Sequence, residues 1–248
     1  MSRSNPFPTS KLALRCGIAL LAMHTALEGA VLTNRYNFNE TTGTTAVDSV
    51  SGKNGTLMNT AVFTGAGTVY LDSYQVASSD PLGAYIVLPE NLVTGLTSIT
   101  VETWYSPTHN PNSNADWNRI WDFFNSTGHF FLRSGNATYG LRGDITTSSS
   151  SQGLDAPTVP DAVESHVVWT SDGATGRARI YVNGIEVASA TGFTNTPAGV
   201  GLTTNWLGRS KFGADPYLSG TLNEFRIYSG ALTPLEAAAS YQAGTENP

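Results

Sequence analysis

Between His109 and Arg119 the chain reads His-Asn-Pro-Asn-Ser-Asn-Ala-Asp-Trp-Asn-Arg, its densest run of stacking and hydrogen-bonding groups. Within this run Asp116, Trp117 and Arg119 set an aromatic face beside a carboxylate and a guanidinium fork. That combination suits a polyhydroxylated ring: the indole takes its C–H groups, while the acid and the fork bond its hydroxyls. Arg142 and Asp144, two positions apart, would share one face of a strand and could line the same surface. Trp206 and Arg209, with Tyr217 in the following loop, form a second set of the same chemistry. Packing competes with binding at every tryptophan. Trp104, Trp121 and Trp169 lie in β-rich runs and read as core, whereas Trp117 and Trp206 suit either role.

Catalysis has thinner support. Retaining hydrolysis of a glycosidic bond needs two carboxyl groups about 5–5.5 Å apart, and strand neighbours i and i+2 share a face at roughly 7 Å. No strand-like run carries repeated acids at that spacing. Glu102 and Asp122 are single carboxylates on separate strands, expected to pair with Arg119, Arg179 or Arg226 because buried acids are seldom left alone. His109, His129 and His166 have neither a G-x-S-x-G partner nor a His/Cys spacing that suits zinc. Oxygen ligation is the remaining metal chemistry. The loop from Asp48 to Gly55, Asp-Ser-Val-Ser-Gly-Lys-Asn-Gly, offers groups of the kind that hold Ca2+, with Asp48 first among them. An Asx-turn built on Asp48 accounts for the same residues without a metal.

Bulk composition narrows the partners. Only 13% of residues are charged and the aromatic fraction is 10%, too apolar and too aromatic for a disordered chain. The formal net charge is −6 and the 13 basic residues are scattered, so no stripe is present to neutralise phosphates and nucleic acid is not an expected partner. Residues 1–30 differ from the rest: Arg3, Lys11 and Arg15 precede the apolar run Cys16–Met23, and small residues follow at Ala26 and Ala30. This is the layout of a secretory signal, in a run shorter than the ~20 residues that span a bilayer. The expectation is a secreted or cell-surface protein whose mature chain, 31–248, has no transmembrane segment and no cysteine.

From residue 31 the text is strand, turn, strand. Alternating or β-rich runs fall at 34–38, 68–72, 84–88, 98–106, 118–125, 165–171, 177–182, 185–190 and 221–228, punctuated by Gly, Asn, Asp, Pro and Ser. Asn183-Gly184 between two β-branched runs predicts a type I′ hairpin. Thr233-Pro234-Leu235-Glu236 is a capping box opening a short C-terminal helix that stops near Gly244. The stretch 146–160, with serines at 148–151, reads as a long surface loop. One all-β domain follows.

Three stretches in order resemble the laminin-G-like family of concanavalin A-like jelly rolls found in bacterial secreted proteins. The first is Arg35-Tyr-Asn-Phe38 with Asp48 to Leu57; the second is Ile99-Thr-Val-Glu-Thr-Trp104. The third joins Val168-Trp-Thr170, Ile180-Tyr-Val-Asn-Gly184, Leu207-Gly-Arg209 and Gly220 to Tyr228, ending at Ala231 to Glu236. The resemblance implies a two-sheet antiparallel jelly-roll sandwich of twelve to fourteen strands. It also implies relatives that bind carbohydrate, adhere to surfaces or bind proteins, often with calcium at a loop, and distant ones that are glycosidases. In some relatives an acidic pair at the position of Asn223 and Glu224 serves calcium; here Asn replaces the first acid, and a surface-facing Glu224 is the alternative. The expected function is a non-catalytic recognition or adhesion module for a glycan or glycoprotein surface. The alternative is a structural surface or matrix subunit that assembles with itself or other modules, and a glycoside hydrolase ranks behind both.

Overall fold

The computed structural model describes Met1 and residues 29–73, 77, 79–108, 117–135, 139–201 and 203–247. The proposed leader therefore lies, but for its first and last residues, outside the described residues. So does Asp116.

Sixteen strands and one α-helix are found among the described residues. They run β1 (Val31–Tyr36), β2 (Thr45–Ala46), β3 (Gly55–Met58), β4 (Val62–Phe63), β5 (Val69–Leu71) and β6 (Tyr85–Leu88). Then come β7 (Ser98–Pro107), β8 (Arg119–Phe124), β9 (His129–Arg133), β10 (Arg142–Thr146) and β11 (Ser151–Asp155). The chain continues through β12 (Ser165–Asp172), β13 (Arg177–Val182), β14 (Ile185–Thr191), β15 (Thr204–Leu207) and β16 (Gly220–Ser229), and ends in α1 (Pro234–Ala243). All pairings are antiparallel. One eight-stranded sheet has the order β14-β13-β12-β7-β16-β5-β4, with β1 also on β16; the other has the order β11-β10-β9-β8-β15-β6-β3-β2. The count exceeds the expected twelve to fourteen because pieces as short as β2 and β4, two residues each, still pair.

The sheets meet over an aromatic core. Trp121 and Phe130 of the second sheet pack edge-to-face at 5.9 Å, and Trp121 meets Phe225 of the first sheet at the same distance. Phe130 lies 4.6 Å from Trp169 of the first sheet. Gly143 makes room for that indole: a Cβ there would stand 2.8 Å from Trp169 Nε1. Trp121 and Trp169 are buried, as their apolar runs predicted.

The predicted turn chemistry holds. Asn183 and Gly184 take φ of 50° and 77°, the left-handed pair a type I′ turn needs. Thr233 caps α1 through the Glu236 amide while Glu236 bonds back to the Thr233 amide. The stretch 146–160 is a correction, because Ser151–Asp155 is not loop but strand β11, laddered on β10 along its whole length. Serine and glycine have little strand preference of their own; pairing to β10, with Leu154 packed on the core, supplies what propensity does not.

Helix α1 roofs a buried polar network on the outer face of the first sheet. Glu102 lies 2.7 Å from His166 Nε2, accepts from Tyr228 Oη at 2.7 Å and pairs with Arg226 at 3.3 Å. Arg226 and Arg35 both bind Glu224 Oε1, at 2.7 and 2.6 Å, and both donate to the Thr245 carbonyl at 2.7 Å. Glu224 is thus wholly buried rather than surface-facing. A register shift between Leu222 and Glu224 against β7 causes this: the extra residue, Asn223, lets Leu222 face the core and Glu224 face outward beneath the helix. Breaking a buried ion pair strands its partner, so Arg226→Met is expected to lower stability by about 3–5 kcal/mol, measured by urea unfolding at neutral pH. A loss below 1 kcal/mol would show that the network is not coupled to folding.

Candidate functional site

Antiparallel register fixes which side chains of the second sheet point away from the core. Asp144 pairs with Phe131, Phe131 with Asp122, and Asp122 with Trp206, a rung running across four strands from β10 to β15. A second rung joins Ser151, Thr146, His129 and Phe124. A third joins Asp155, Arg142, Arg133 and Arg119. Arg119 reaches this face through a bulge. With Trp121 turned into the core, period-2 alternation would turn Arg119 inward as well. The register slips between the two, leaving Ile120 as the extra residue, and Arg119 emerges beside Asp122.

These rungs floor a cavity of about 330 Å3, within the usual size of a small-molecule site. Trp117, Arg119, Arg142 and Asp144 line it together, with His129, Phe131, Thr146 and Ser151 from the same face. Phe212 and Asp215, from the loop after β15, close one side. Arg142 donates to Asp155 at 2.7 Å and to Asp144 at 3.1 Å, while Thr146 and Ser151 hydroxyls donate to Asp144 at 2.7 and 3.1 Å. Gly153, opposite Asp144, leaves space for both side chains: a Cβ there would lie 2.2 Å from Arg142 Nη2 and 2.6 Å from Asp144 Oδ2. Arg119 is buried, pairs with Asp215 at 3.1 Å and donates to the Trp117 carbonyl at 2.7 Å. Burial draws its guanidinium below the ordinary range, while Asp122 and Asp215 oppose that shift.

Stacking links the cavity to the second tryptophan. Arg119 lies 4.0 Å from the Phe131 ring centre and 5.2 Å from that of Trp117; Arg133 spans Trp117 at 4.5 Å and Tyr139 at 5.9 Å. On the other side His129 touches Phe131 and Phe212, and Lys211 lies over Phe212 and Phe124. Phe124 then packs edge-on to Trp206 at 4.7 Å, and Trp206 meets Tyr85 at 5.7 Å. The result is a continuous band of aromatic and basic side chains across the sheet. Three rings in it are open to solvent: Trp117 at 41% exposure, Phe212 at 47% and Tyr139 at 51%.

The first sequence-predicted set is therefore brought together, Asp116 excepted. The second is only partly a surface. Arg209 lies over the rings of Trp206, Tyr85 and Tyr217, and Trp206 is half-buried. Tyr217 offers nothing to a ligand: it is 2% exposed, donates to the Asp80 carbonyl and fills the space over Gly83, where a Cβ would strike its ring at 2.2 Å. His129, Phe131 and Arg133 were missed although His-Phe-Phe-Leu-Arg alternates visibly. Phe212 and Asp215 carried no local signal.

The residues offered to calcium serve separate purposes. Asp48 Oδ1 accepts from the Arg35, Val50 and Ser51 amides at 3.0, 3.0 and 3.2 Å, and Oδ2 from Asn34 at 2.7 Å and from the Ser51 hydroxyl. Donors crowd both oxygens where a cation would need them. Glu224 Oε2 has no partner, but two guanidiniums sit on the same carboxylate and would repel a dication. Asn223 donates to Glu164 at 2.8 Å. These residues do not fit a resident calcium, and no three acidic, His or Cys groups converge as a metal site among the described residues. Burial pushes the Asp48 carboxyl up, yet its bonds from Ser51, Arg35, Asn34 and Val50 together outweigh that and hold it below the usual range. A carboxyl lowered on folding stabilises above its unfolded pKa of about 3.9 and loses that contribution as pH falls through the folded value. Asp48→Asn is expected to cost about 1–3 kcal/mol at pH 7 and to flatten the loss of stability below pH ~4, read from urea midpoints between pH 7 and 3. A variant with wild-type acid sensitivity would remove Asp48 as the source.

No curated protein matches the chain. Among solved structures, domain 4 of the extracellular GH43 arabinanase AbnA from Geobacillus stearothermophilus, in complex with arabinotriose, aligns with a TM-score of 0.66 at 21% identity. That alignment covers 86% of this chain and 98% of that one. The CBM40 of the Ruminococcus gnavus IT-sialidase, bound to α2,3-sialyllactose, gives 0.50 at 21% identity over 58% of this chain and 82% of its own. A botulinum neurotoxin type C structure, for which cell entry depends upon interaction with two ganglioside molecules, gives 0.62 at 14% identity. There the alignment covers 87% of this chain but 51% of the toxin chain, so this chain spans about half of that relative. At these identities the likeness establishes the jelly-roll fold. A family model, Laminin_G_3, matches residues 78–238, well over half of the chain, and with the two-sheet architecture it makes this protein a member of the concanavalin A-like lectin/glucanase superfamily.

Proposed function

We propose that this protein is an exported, non-catalytic module that binds carbohydrate on the outer face of its second sheet. One observation carries the reading: the cavity joins an open aromatic rim, Trp117 and Phe212, to a floor of interlocked donors and acceptors, Arg142, Asp144, Thr146 and Ser151. Apolar ring faces meet rims of this kind, and hydroxyls exchange bonds with such floors. Fold relatives solved in complex with arabinotriose and bound to sialyllactose support it. Binding rather than hydrolysis is favoured because the cavity's carboxylates are committed to other partners, Asp144 to Arg142 and two hydroxyls and Asp215 to Arg119 and the Ser210 hydroxyl. Asp122, wholly buried beneath, binds Arg119 and the Lys211 amide through Oδ2 and faces His129 at 3.7 Å through Oδ1. The signal-like layout of residues 1–30 is the support for export.

A glycan array probed with the 31–248 protein tests the reading. Selective binding is expected, with Trp117→Ala weakening it at least tenfold, about 1.4 kcal/mol, at unchanged melting temperature, and Asp144→Ala weakening it as much in protein that is still folded at the assay temperature. A blank array, or binding that neither substitution alters, would defeat the assignment. In cells making the full chain, product starting near residue 31 is expected outside the cytoplasm; intact precursor found only inside would remove the export step.

A further inference from the structure

We infer that the site takes an extended, electrically neutral oligosaccharide laid across the strands from the Trp117 cavity towards Trp206, rather than a single terminal or acidic sugar. The inference rests on the carbohydrate-binding reading and specifies its ligand. Charge is the first argument. Every arginine of the three rungs is already answered by an acid: Arg142 by Asp144 and Asp155, Arg119 by Asp122 and Asp215, and Arg133 by Asp155 at 3.8 Å. The Lys211 ammonium, between Phe124 and Phe212, donates to the carbonyls of Asn125 and Gly128 at 3.2 and 3.4 Å. A carboxylate or sulfate on the ligand would have to displace an acid from its arginine, and it would meet the acids Asp144, Asp155 and Asp215 on arrival. A neutral ring needs only to replace water, and paired acid–arginine groups offer hydroxyls both acceptors and donors.

Extent is the second argument. The stacked band does not stop at the cavity. From Phe131 it continues through His129, Phe212, Lys211 and Phe124 to Trp206. Asp144 and Trp206 occupy one rung three strand spacings apart, about 14 Å at 4.7–4.9 Å per strand, farther than one sugar ring reaches. Rim rings stand open along this line, with Phe212 midway at 47% exposure. An aromatic left exposed in mid-path, between two others on the same face, is placed to carry the middle rings of a chain.

Calorimetry with linear neutral arabino-, xylo- and gluco-oligosaccharides of two to six units, and with oligogalacturonates as the charged counterpart, tests this. In the preferred neutral series, affinity should rise at least fivefold between two and five units and change less than twofold in 0.5 M NaCl. Oligogalacturonates should bind no more tightly. Trp206→Ala should abolish the gain with length and leave the disaccharide within twofold of wild type, whereas Trp117→Ala and Phe212→Ala, which truncate the cavity rim itself, should weaken every length. The length series on the unaltered protein decides the matter even where Trp206→Ala fails to fold. Affinity flat from two to six units, equal loss at all lengths in a folded Trp206→Ala, or tighter salt-sensitive binding of oligogalacturonate would overturn the inference while leaving carbohydrate binding in place. No binding of any glycan, here and on the array, would overturn both.

Discussion

Period-2 alternation, pinned by an aromatic core, is the constraint on which the rest of this molecule depends. Once Trp121, Phe123 and Phe130 are turned toward Phe225 and Trp169, the residues between them must face outward, and a slip of one position would exchange the two sets. The outer face of the second sheet is thus the complement of its core. Asp122, Phe131 and Asp144 stand where they do because their neighbours fill the space between the sheets. Substitutions in that core would be felt at the surface as changes of register as well as losses of stability.

Each sheet relaxes the rule next to its most polar groups. Ile120 in β8 and Asn223 in β16 are the extra residues of two register shifts, and each allows apolar side chains inward and a charged one outward within a few positions. In the second sheet the outcome is Arg119, fixed between Asp122, Asp215 and two aromatic rings. In the first it is Glu224, held by two arginines under the helix. One deviation builds a surface cavity and the other a sealed polar interior, and what covers each makes the difference.

Much of this was legible in the chain itself, and the boundary is physical. Strands rich in β-branched and aromatic residues, the Asn183-Gly184 hairpin and the Thr233 capping box are encoded locally, in spacings of a few residues. The shared face of Arg142 and Asp144 follows from alternation alone. Strand β11 was hidden because Ser-Gln-Gly-Leu-Asp becomes a strand only through its neighbour β10. The bulge at Ile120 was hidden because nothing in Arg-Ile-Trp announces a doubled register. Phe212 and Asp215 were hidden because they reach the cavity from the loop after β15, far from Trp117 and Arg119 in sequence. Tyr217 misled for the converse reason: beside Arg209 it resembles a surface platform, and only the closeness of Gly83 reveals it as filler. Glu224 likewise hid a buried partnership behind a polar neighbour.

The two ends of the described fold, meanwhile, belong to one side. Strand β1 pairs with β16, and the segment after α1 is clasped through its carbonyls by Arg35 and Arg226, so both ends are anchored on the first sheet. The cavity opens from the second sheet, on the opposite side of the core. Held by either terminus on a solid support, or fused there to another protein, the domain would present its cavity outward, and a bulky attachment would cast little steric shadow over it.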